Sequence, residues 1–300
     1  MSTTTDDLAV LRDPRDAYAR PPFDQQTGID MPGQTREMKP TPDHGEESYT
    51  GSGKLTGRVA LITGADSGIG RAIALAYARE GADVVVTFLS ERDDAEATAD
   101  LVRDAGRSAE VVAADLRDHA AAQALFQRSL DRFGRLDVLV NNAAYQEMGA
   151  DLDAMDPEAF DRIFKTNVYG PFWLTRAAMP HLPAGGSVVH TVSIQGYDPT
   201  AELLPYAATK SALISMTKSM AKLAIDQGVR VNAVAPGPVW TPLIPGSMPA
   251  DAVESFGGST VFGRPAQPAE LAPLYVWLAS DQASYVTGEV YGATGGKTPI

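Results

Sequence analysis

The sequence predicts an α/β fold, a doubly wound sheet of seven parallel strands with helices on both faces. Three observations predict it. From Gly57 onward, short apolar runs alternate with helical segments. The runs are continuous rather than alternating, as expected of strands buried on both faces of a parallel sheet. A glycine-rich turn joins the first run to the first helix, and right-handed crossovers then place helices on both sides of the sheet.

Val59–Thr63 is the first apolar run. Ile69–Arg79 reads as a helix that stops at Gly81, a helix-ending residue. Val84–Leu89 is the second strand, and Ala95–Ala105 is a helix ended by Gly106. Glu110–Ala114 and Leu136–Asn141 are further strands, with the helix Ala120–Phe133 between them. Pro157–Met179 reads as one long helix. Ser187–Ser193 is a strand, Tyr206–Gln227 a helix and Val229–Ala235 another strand. Pro268–Ser280 is the last helix and Glu289–Ala293 the last strand. No segment repeats another.

Composition narrows the function. A chain of 300 residues suits one large domain, or one domain with an arm. The net charge of −13 argues against a nucleic-acid backbone or an anionic membrane as partner, since both reward excess Lys and Arg. The absence of cysteine excludes disulfides, thiolate nucleophiles and cysteine metal sites. The histidines at 44, 119, 181 and 190 lack ligand spacing, so no metal site is expected. Met1–Asp7 lacks the basic start and apolar run of a secretory signal, and no stretch approaches a membrane span, so the cytoplasm is the expected location.

Residues 1–54 differ from the rest. They carry Pro14, Pro21, Pro22, Pro32, Pro40 and Pro42 with few aliphatics, and cannot bury a core of their own. They read either as a disordered leader or as an extended arm lying on a neighbouring subunit, anchored by Tyr18, Phe23, Ile29 and Met31. The expected division is an arm at 1–54 and one domain at 55–300.

Thr63-Gly64-Ala65-Asp66-Ser67-Gly68-Ile69-Gly70 links the first strand to the first helix. Glycines there let the backbone approach a pyrophosphate, and the helix N-terminus offers free N–H groups and a positive dipole end. An acidic residue at the tip of the second strand would bind both ribose hydroxyls of NAD and repel a 2′-phosphate. Phe88 holds that tip, followed by Leu89, Ser90, Glu91 and Arg92. Ser90 and Arg92 suit a phosphate while Glu91 opposes one, so NADP(H) is expected, with NAD(H) as the alternative. After the third strand, Asp115, beside Leu116, either accepts from the adenine amino group or caps the next helix. Asn141-Asn142-Ala143-Ala144 closes the fourth strand, where Asn142 and Ala143 suit loops held around a cofactor or a simple turn.

Among ten tyrosines, only Tyr206 has a lysine, Lys210, four residues on. On a helix this pair shares a face. A phenol with a pKa near ~10 is a poor base at neutral pH, and a neighbouring cation lowers it. The pair is therefore a candidate acid/base for carbonyl–alcohol interconversion, with Ser193 ahead of the tyrosine and twelve residues between them.

These segments resemble the short-chain dehydrogenase/reductase family. The resemblance rests on Thr63–Gly70, Asn141–Ala144, Asn167-Val-Tyr-Gly170, Ser193, Tyr206-Ala-Ala-Thr-Lys210 and Pro236-Gly-Pro238, in family order and spacing. It covers about Lys54–Ile300, with Ala144 where glycine is more usual. The glycine spacing is that of the single-domain oxidoreductases with a Rossmann fold. The leader around Lys39–Tyr49 is similar to a bacterial subgroup described as general-stress oxidoreductases or NADP-dependent aldehyde reductases. The resemblance implies that Tyr206 exchanges the proton, Lys210 holds the nicotinamide ribose, Ser193 binds the substrate oxygen and Asn167 supports a water relay. It also implies cofactor contacts from Pro236, Gly237, Val239 and Thr241.

Residues 240–264 are rich in Gly and Pro and carry Trp240, Leu243, Ile244, Met248, Phe256 and Phe262. They read as a mobile lid over an apolar pocket, or as a surface loop with its aromatics tucked into the core. Gln195 and Tyr197 are placed to shape the substrate pocket, and the few charges suggest an uncharged carbonyl. Apolar Phe172, Trp173, Ala208, Ala212 and Met216 on the long helices, with the family's habit, imply a homotetramer. The leading function is an NADP(H)-linked reductase of aldehydes or ketones, reversible with alcohols. Its rivals are a sugar or polyol dehydrogenase and a redox sensor that holds the nucleotide without turnover.

Overall fold

The computed structural model describes residues 13–26 and 31–297. Seven parallel strands form one sheet: β1 (Val59–Ile62), β2 (Asp83–Phe88), β3 (Ala109–Ala113), β4 (Val138–Asn141), β5 (Ser187–Thr191), β6 (Arg230–Pro236) and β7 (Val290–Ala293). Their order across the sheet is β3-β2-β1-β4-β5-β6-β7. The winding reverses between β1 and β4, and such a switch point leaves a crevice outside the strands' carboxyl ends.

The strands are short and aliphatic because both faces are covered. On one face pack α1 (Gly68–Arg79), α2 (Arg92–Asp104) and the last helix of the chain, Pro268–Ala279, around Ile73, Tyr77, Val86 and Leu278. On the other pack α3 (His119–Phe133) and the helices Gly170–Ala178 and Leu204–Ala224, around Leu61, Leu125, Leu174 and Val231. In chain order these are joined by α4 (Pro157–Phe164), α5 (Gly170–Ala178), α6 (Leu204–Ala224), α7 (Leu243–Ser247), α8 (Ala250–Glu254) and α9 (Pro268–Ala279). All seven strands lie where the sequence predicts them.

The predicted long helix 157–179 is interrupted. A π turn at Lys165–Tyr169 separates α4 from α5. Gly170 follows it because a Cβ there would lie 3.0 Å from the Leu116 carbonyl oxygen. The predicted lid contains α7 and α8, which five-residue periodicity cannot reveal.

The described part of residues 13–54 packs on the chain's own body. Tyr18 donates to Asp43 at 2.7 Å, and the Arg264 guanidinium lies 5.2 Å above its ring. Phe23 stacks on Trp240 with centroids 4.4 Å apart, and the Trp240 indole N–H donates to the Pro40 carbonyl at 2.8 Å. The Thr35 N–H donates to Asp94 at 2.8 Å. Buried Glu80 closes the segment, accepting from the Tyr49 hydroxyl at 2.6 Å and the Lys54 N–H at 2.8 Å. Neither earlier reading of these residues anticipates anchoring in cis; Ile29 lies outside the described residues.

Candidate functional site

The crevice at the switch point is a cleft of about 560 Å³. Its floor is the turn after β1. Gly64 and Gly68 adopt φ of +61° and +50°, where a side chain is strained. A Cβ on Gly70 would sit 2.0 Å from the Gly64 carbonyl oxygen, so the turn closes against α1 only with glycine there. Ser67 occupies the N-cap of α1 without a side-chain cap bond. The first N–H groups of α1 therefore remain available, and the bare turn forms a cradle that fits a dinucleotide pyrophosphate.

Asn142, at the end of β4, locks this turn. Its side-chain amide donates to the Thr63 and Gly64 carbonyls, each at 3.1 Å, and its N–H donates to the Thr63 hydroxyl at 2.9 Å. The Thr191 hydroxyl donates to the Asn142 amide oxygen at 3.2 Å and meets the Tyr275 hydroxyl at 2.8 Å. One chain of hydrogen bonds thus joins the glycine turn to the end of β5. Thr191 carries no motif, which is why sequence reasoning missed it.

Along the cleft wall lie Gly64, Asp66, Ser67, Gly68 and Ile69, with Leu89 and Ser90 at the end of β2. Asp115 and Leu116 follow from β3, and Asn142 and Ala143 from β4. Pro236, Gly237, Val239 and Thr241 line the opposite side. Thr241 crosses the glycine turn so closely that a Cβ on Gly68 would lie 3.0 Å from its methyl.

Some expectations need correction. Asp115 does not cap α3, because Asp118 does, accepting from the Ala120 N–H at 2.8 Å. Asp115 instead pairs with Arg117 at 2.6 Å. Arg92 turns away to lie 5.2 Å over the Phe88 ring and 3.7 Å from Glu96. Gly70 supports the cleft from behind rather than lining it. Tyr197 is exposed and outside the lining, because the turn Ile194–Gly196 carries it past the cleft; Gln195 does line it.

The Ser193, Tyr206 and Lys210 end of the cleft is built from α6 and the turn after β5. Ser193, Tyr206 and Lys210 all line the cleft and are all buried. The Ser193 hydroxyl accepts from the Gln195 N–H at 3.1 Å. The Lys210 ammonium donates to the Thr191 carbonyl at 2.7 Å and sits 5.3 Å from the centre of the Tyr206 ring. Asn167, on the π turn, is buried outside the cleft lining. Its amide accepts from the Tyr145 N–H at 2.8 Å and donates to the Tyr145 carbonyl at 2.9 Å and the Thr209 hydroxyl at 3.1 Å. Asn167 therefore ties the loop after β4 to the helix that carries Tyr206 and Lys210.

The electrostatics differ from the sequence expectation. Burial pushes the Tyr206 phenol up to about 12, with the Ser193 hydroxyl pulling it part of the way back. Burial drops the Lys210 ammonium to about 7. Lys210 therefore does not lower the phenol in the dinucleotide-free cleft: no hydrogen bond joins the two side chains, and desolvation disfavours both charges. Buried His190, hydrogen-bonded to Thr217 at 2.9 Å, falls to about 3 and stays neutral.

The lysine has a measurable consequence. Its folded pKa of about 7 lies below the ordinary lysine value of 10.5. Between those values the unfolded chain holds the proton and the folded chain does not, so stability rises with pH. The dinucleotide-free protein should gain thermal stability from pH 7 towards pH 10 relative to Lys210→Met. A difference in Tm that stays constant across that window would contradict the burial cost.

The remaining walls come from segments that carry no motif. Met31–Gly33 of the arm and Thr241–Ile244, Met248 and Phe256 of the lid segment line the cleft. Trp240 and Val253 of the same segment are buried with Phe23 and Met38, so the segment both lines the cleft and tucks residues into a small core. Gln146, in the loop after β4, donates to Ser247 of this segment at 2.7 Å.

Known proteins place this geometry. The profile of the family described as enoyl-(acyl carrier protein) reductase matches residues 64–298. The glucose and ribitol dehydrogenase of Daucus carota is 40% identical over 92% of this chain and 96% of its own. The NADPH-dependent aldehyde reductase 1, chloroplastic, of Arabidopsis thaliana is 39% identical over 89% of this chain and 95% of its own. A solved short chain dehydrogenase from Burkholderia cenocepacia J2315 in complex with NADP superposes with a TM-score of 0.76 at 33% identity, covering 81% of this chain and 98% of that one. A doubly wound sheet, a pyrophosphate cradle at its switch point and a buried Ser-Tyr-Lys set beside it belong together here: the chain is a member of the short-chain dehydrogenase/reductase family, an NAD(P)-dependent oxidoreductase.

Proposed function

We propose that the protein interconverts an aldehyde or ketone with its alcohol on a small, uncharged substrate. The observation that carries this reading is the convergence of Ser193, Tyr206 and Lys210 on the cleft that the glycine turn floors. A bound nicotinamide dinucleotide supplies or accepts the hydride. In reduction the Tyr206 hydroxyl, held protonated by burial, gives its proton to the carbonyl oxygen. The Ser193 hydroxyl donates to that same oxygen and stabilises its developing charge. Lys210 is positioned by the Thr191 carbonyl to hold the ribose beside the ring. In oxidation Tyr206 takes the alcohol proton. Asn167 acts through Tyr145 and Thr209 by fixing the geometry.

The expected NADP(H) preference draws support from the NADPH-dependent relative and the NADP-bound structure. The sugar or polyol reading draws support from the Daucus carota enzyme. Following reduced-nicotinamide absorbance with aldehydes, ketones, sugars and polyols, each with both dinucleotides, tests these readings. Turnover of simple aldehydes or ketones supports the proposal, and turnover confined to sugars or polyols transfers it to the rival. Tight nucleotide binding with no turnover on any substrate would favour a sensor, against which the complete Ser193, Tyr206 and Lys210 set argues.

A homotetramer remains part of the proposal. Phe172 on α5 and Tyr169 at the end of the π turn before it are 43% and 46% exposed, and Leu223 near the end of α6 is 78% exposed. Light scattering at micromolar concentration should give four chains, and a monomer would overturn this. Among the described residues no helix is long and apolar enough to cross a membrane. The cytoplasm is proposed on the same footing.

A further inference from the structure

The family profile begins at residue 64, yet the cleft has a wall made of residues well ahead of it. Met31, Pro32 and Gly33 of the arm line the same cavity as the glycine turn. Two anchors fix where they lie. The first is Thr35, two residues past Gly33, whose N–H donates at 2.8 Å to Asp94 in the first turn of α2. Two Cα–Cα steps of 3.8 Å put Gly33 within about 8 Å of Thr35. Gly33 therefore stands beside α2, on the side of the cleft where Leu89, Ser90 and Glu91 follow β2. Asp94 is itself held, 3.5 Å from the buried Arg71 guanidinium, so the arm is pinned to a buried ion pair.

The second anchor lies across the glycine turn. Met38 is 1% exposed and packs with Trp240, Ile244 and Val253. The Trp240 indole N–H donates to the Pro40 carbonyl at 2.8 Å. Trp240 directly precedes Thr241, whose methyl group covers Gly68. The Lys39 N–H donates to the Gln26 amide oxygen at 2.9 Å, and the Phe23 N–H to the Glu254 carbonyl at 2.9 Å, which ties the arm to α8 as well. Residues 31–40 thus bridge α2 and the 240–256 segment, the two walls that flank the pyrophosphate cradle. Met31 and Pro32 are only half-buried, and they present uncharged surface to the cavity.

Resting on the dinucleotide reading above, we propose that residues 31–40 are a strap over the bound dinucleotide. Met31 and Pro32 cover its adenosine half, and the dinucleotide leaves only after the Thr35–Asp94 anchor lets go. A dinucleotide in a switch-point crevice lays its adenosine past the tip of the second strand, which is the side that Thr35 fixes for Met31–Gly33. Covering apolar surface of Met31 and Pro32 strengthens binding, and a wall that must move before exchange slows release. The binding site is then completed by a segment outside the domain that carries the catalytic set.

The test is stopped-flow release of the reduced dinucleotide, read from its fluorescence on the full chain, with no substrate present. Thr35→Pro removes the anchoring N–H and places a methylene against the Asp94 carboxylate. The backbone tolerates it, because Thr35 opens a short turn and Gln34 before it is extended, with φ −95° and ψ 136°. Release should accelerate at least about tenfold in Thr35→Pro, chiefly through the off-rate. Met31→Ala, which leaves both anchors in place, should accelerate it at least about threefold. ADP, which carries the adenosine half alone, should lose affinity in both variants by the same factor as the dinucleotide. Unchanged release in Met31→Ala overturns the cover, and unchanged release in a folded Thr35→Pro overturns the anchor. A lower melting temperature with unchanged release assigns the arm to stability alone and overturns the proposal. Undiminished ADP affinity beside faster dinucleotide release overturns the placement over adenosine. Failure of the dinucleotide and of ADP to bind the wild type overturns the reading of the cleft itself.

Discussion

Tyr206→Phe should lower turnover by at least about 100-fold while leaving dinucleotide affinity within about threefold of wild type. The ring is buried, and phenylalanine fills the same volume, so the packing of α6 is conserved. Only the hydroxyl is lost, and with it the proton that the carbonyl oxygen must receive. The assignment of the phenol fails if the variant turns over within about threefold of the parent. Steady-state turnover and a separate binding titration on the same preparation keep chemistry and binding apart.

Gly70→Ala should leave the sheet intact and weaken dinucleotide binding by at least tenfold. The added Cβ would sit 2.0 Å from the Gly64 carbonyl oxygen and 2.8 Å from the Asn142 amide nitrogen. Both belong to the lock that shapes the pyrophosphate cradle, and the first is backbone. Overpacking of this kind costs roughly 1–3 kcal/mol, and the strain falls where the ligand binds. Calorimetric titration with the dinucleotide reads the affinity, and a circular-dichroism melt reads the fold. Unchanged affinity in a folded variant would show that the turn does not form the cradle.

Much of this architecture is legible in the sequence because it rests on local rules. β1, β2, β4 and β5 are aliphatic runs ended by turns, and burial on both faces requires that pattern. The glycine turn is legible because positive φ and a 2.0 Å contact admit few other residues. Tyr206 and Lys210 are legible from their spacing on one helix face. What the sequence hides depends on tertiary contact. The π turn that contains Asn167 reads as plain helix, because the contacts of Asn167 with Tyr145 and Thr209 lie on other segments of the chain. The arm looks unstructured because its partners, Trp240, Arg79 and Glu80, lie far along the chain. Thr191 is one threonine among many until its carbonyl is seen to hold Lys210. The phenol's pKa is hidden for the same reason, since burial outweighs a nearby amine that is itself desolvated.

Transfer of label tests the central claim most directly. The protein is mixed with reduced dinucleotide deuterated at the transferring position and with the aldehyde and ketone panel, and the products are weighed by mass spectrometry. The wild type should place deuterium on the carbinol carbon of at least one product, and Tyr206→Phe should do so at least about 100-fold more slowly. Tight dinucleotide binding with no label in any product, or equal labelling by the variant, would contradict it.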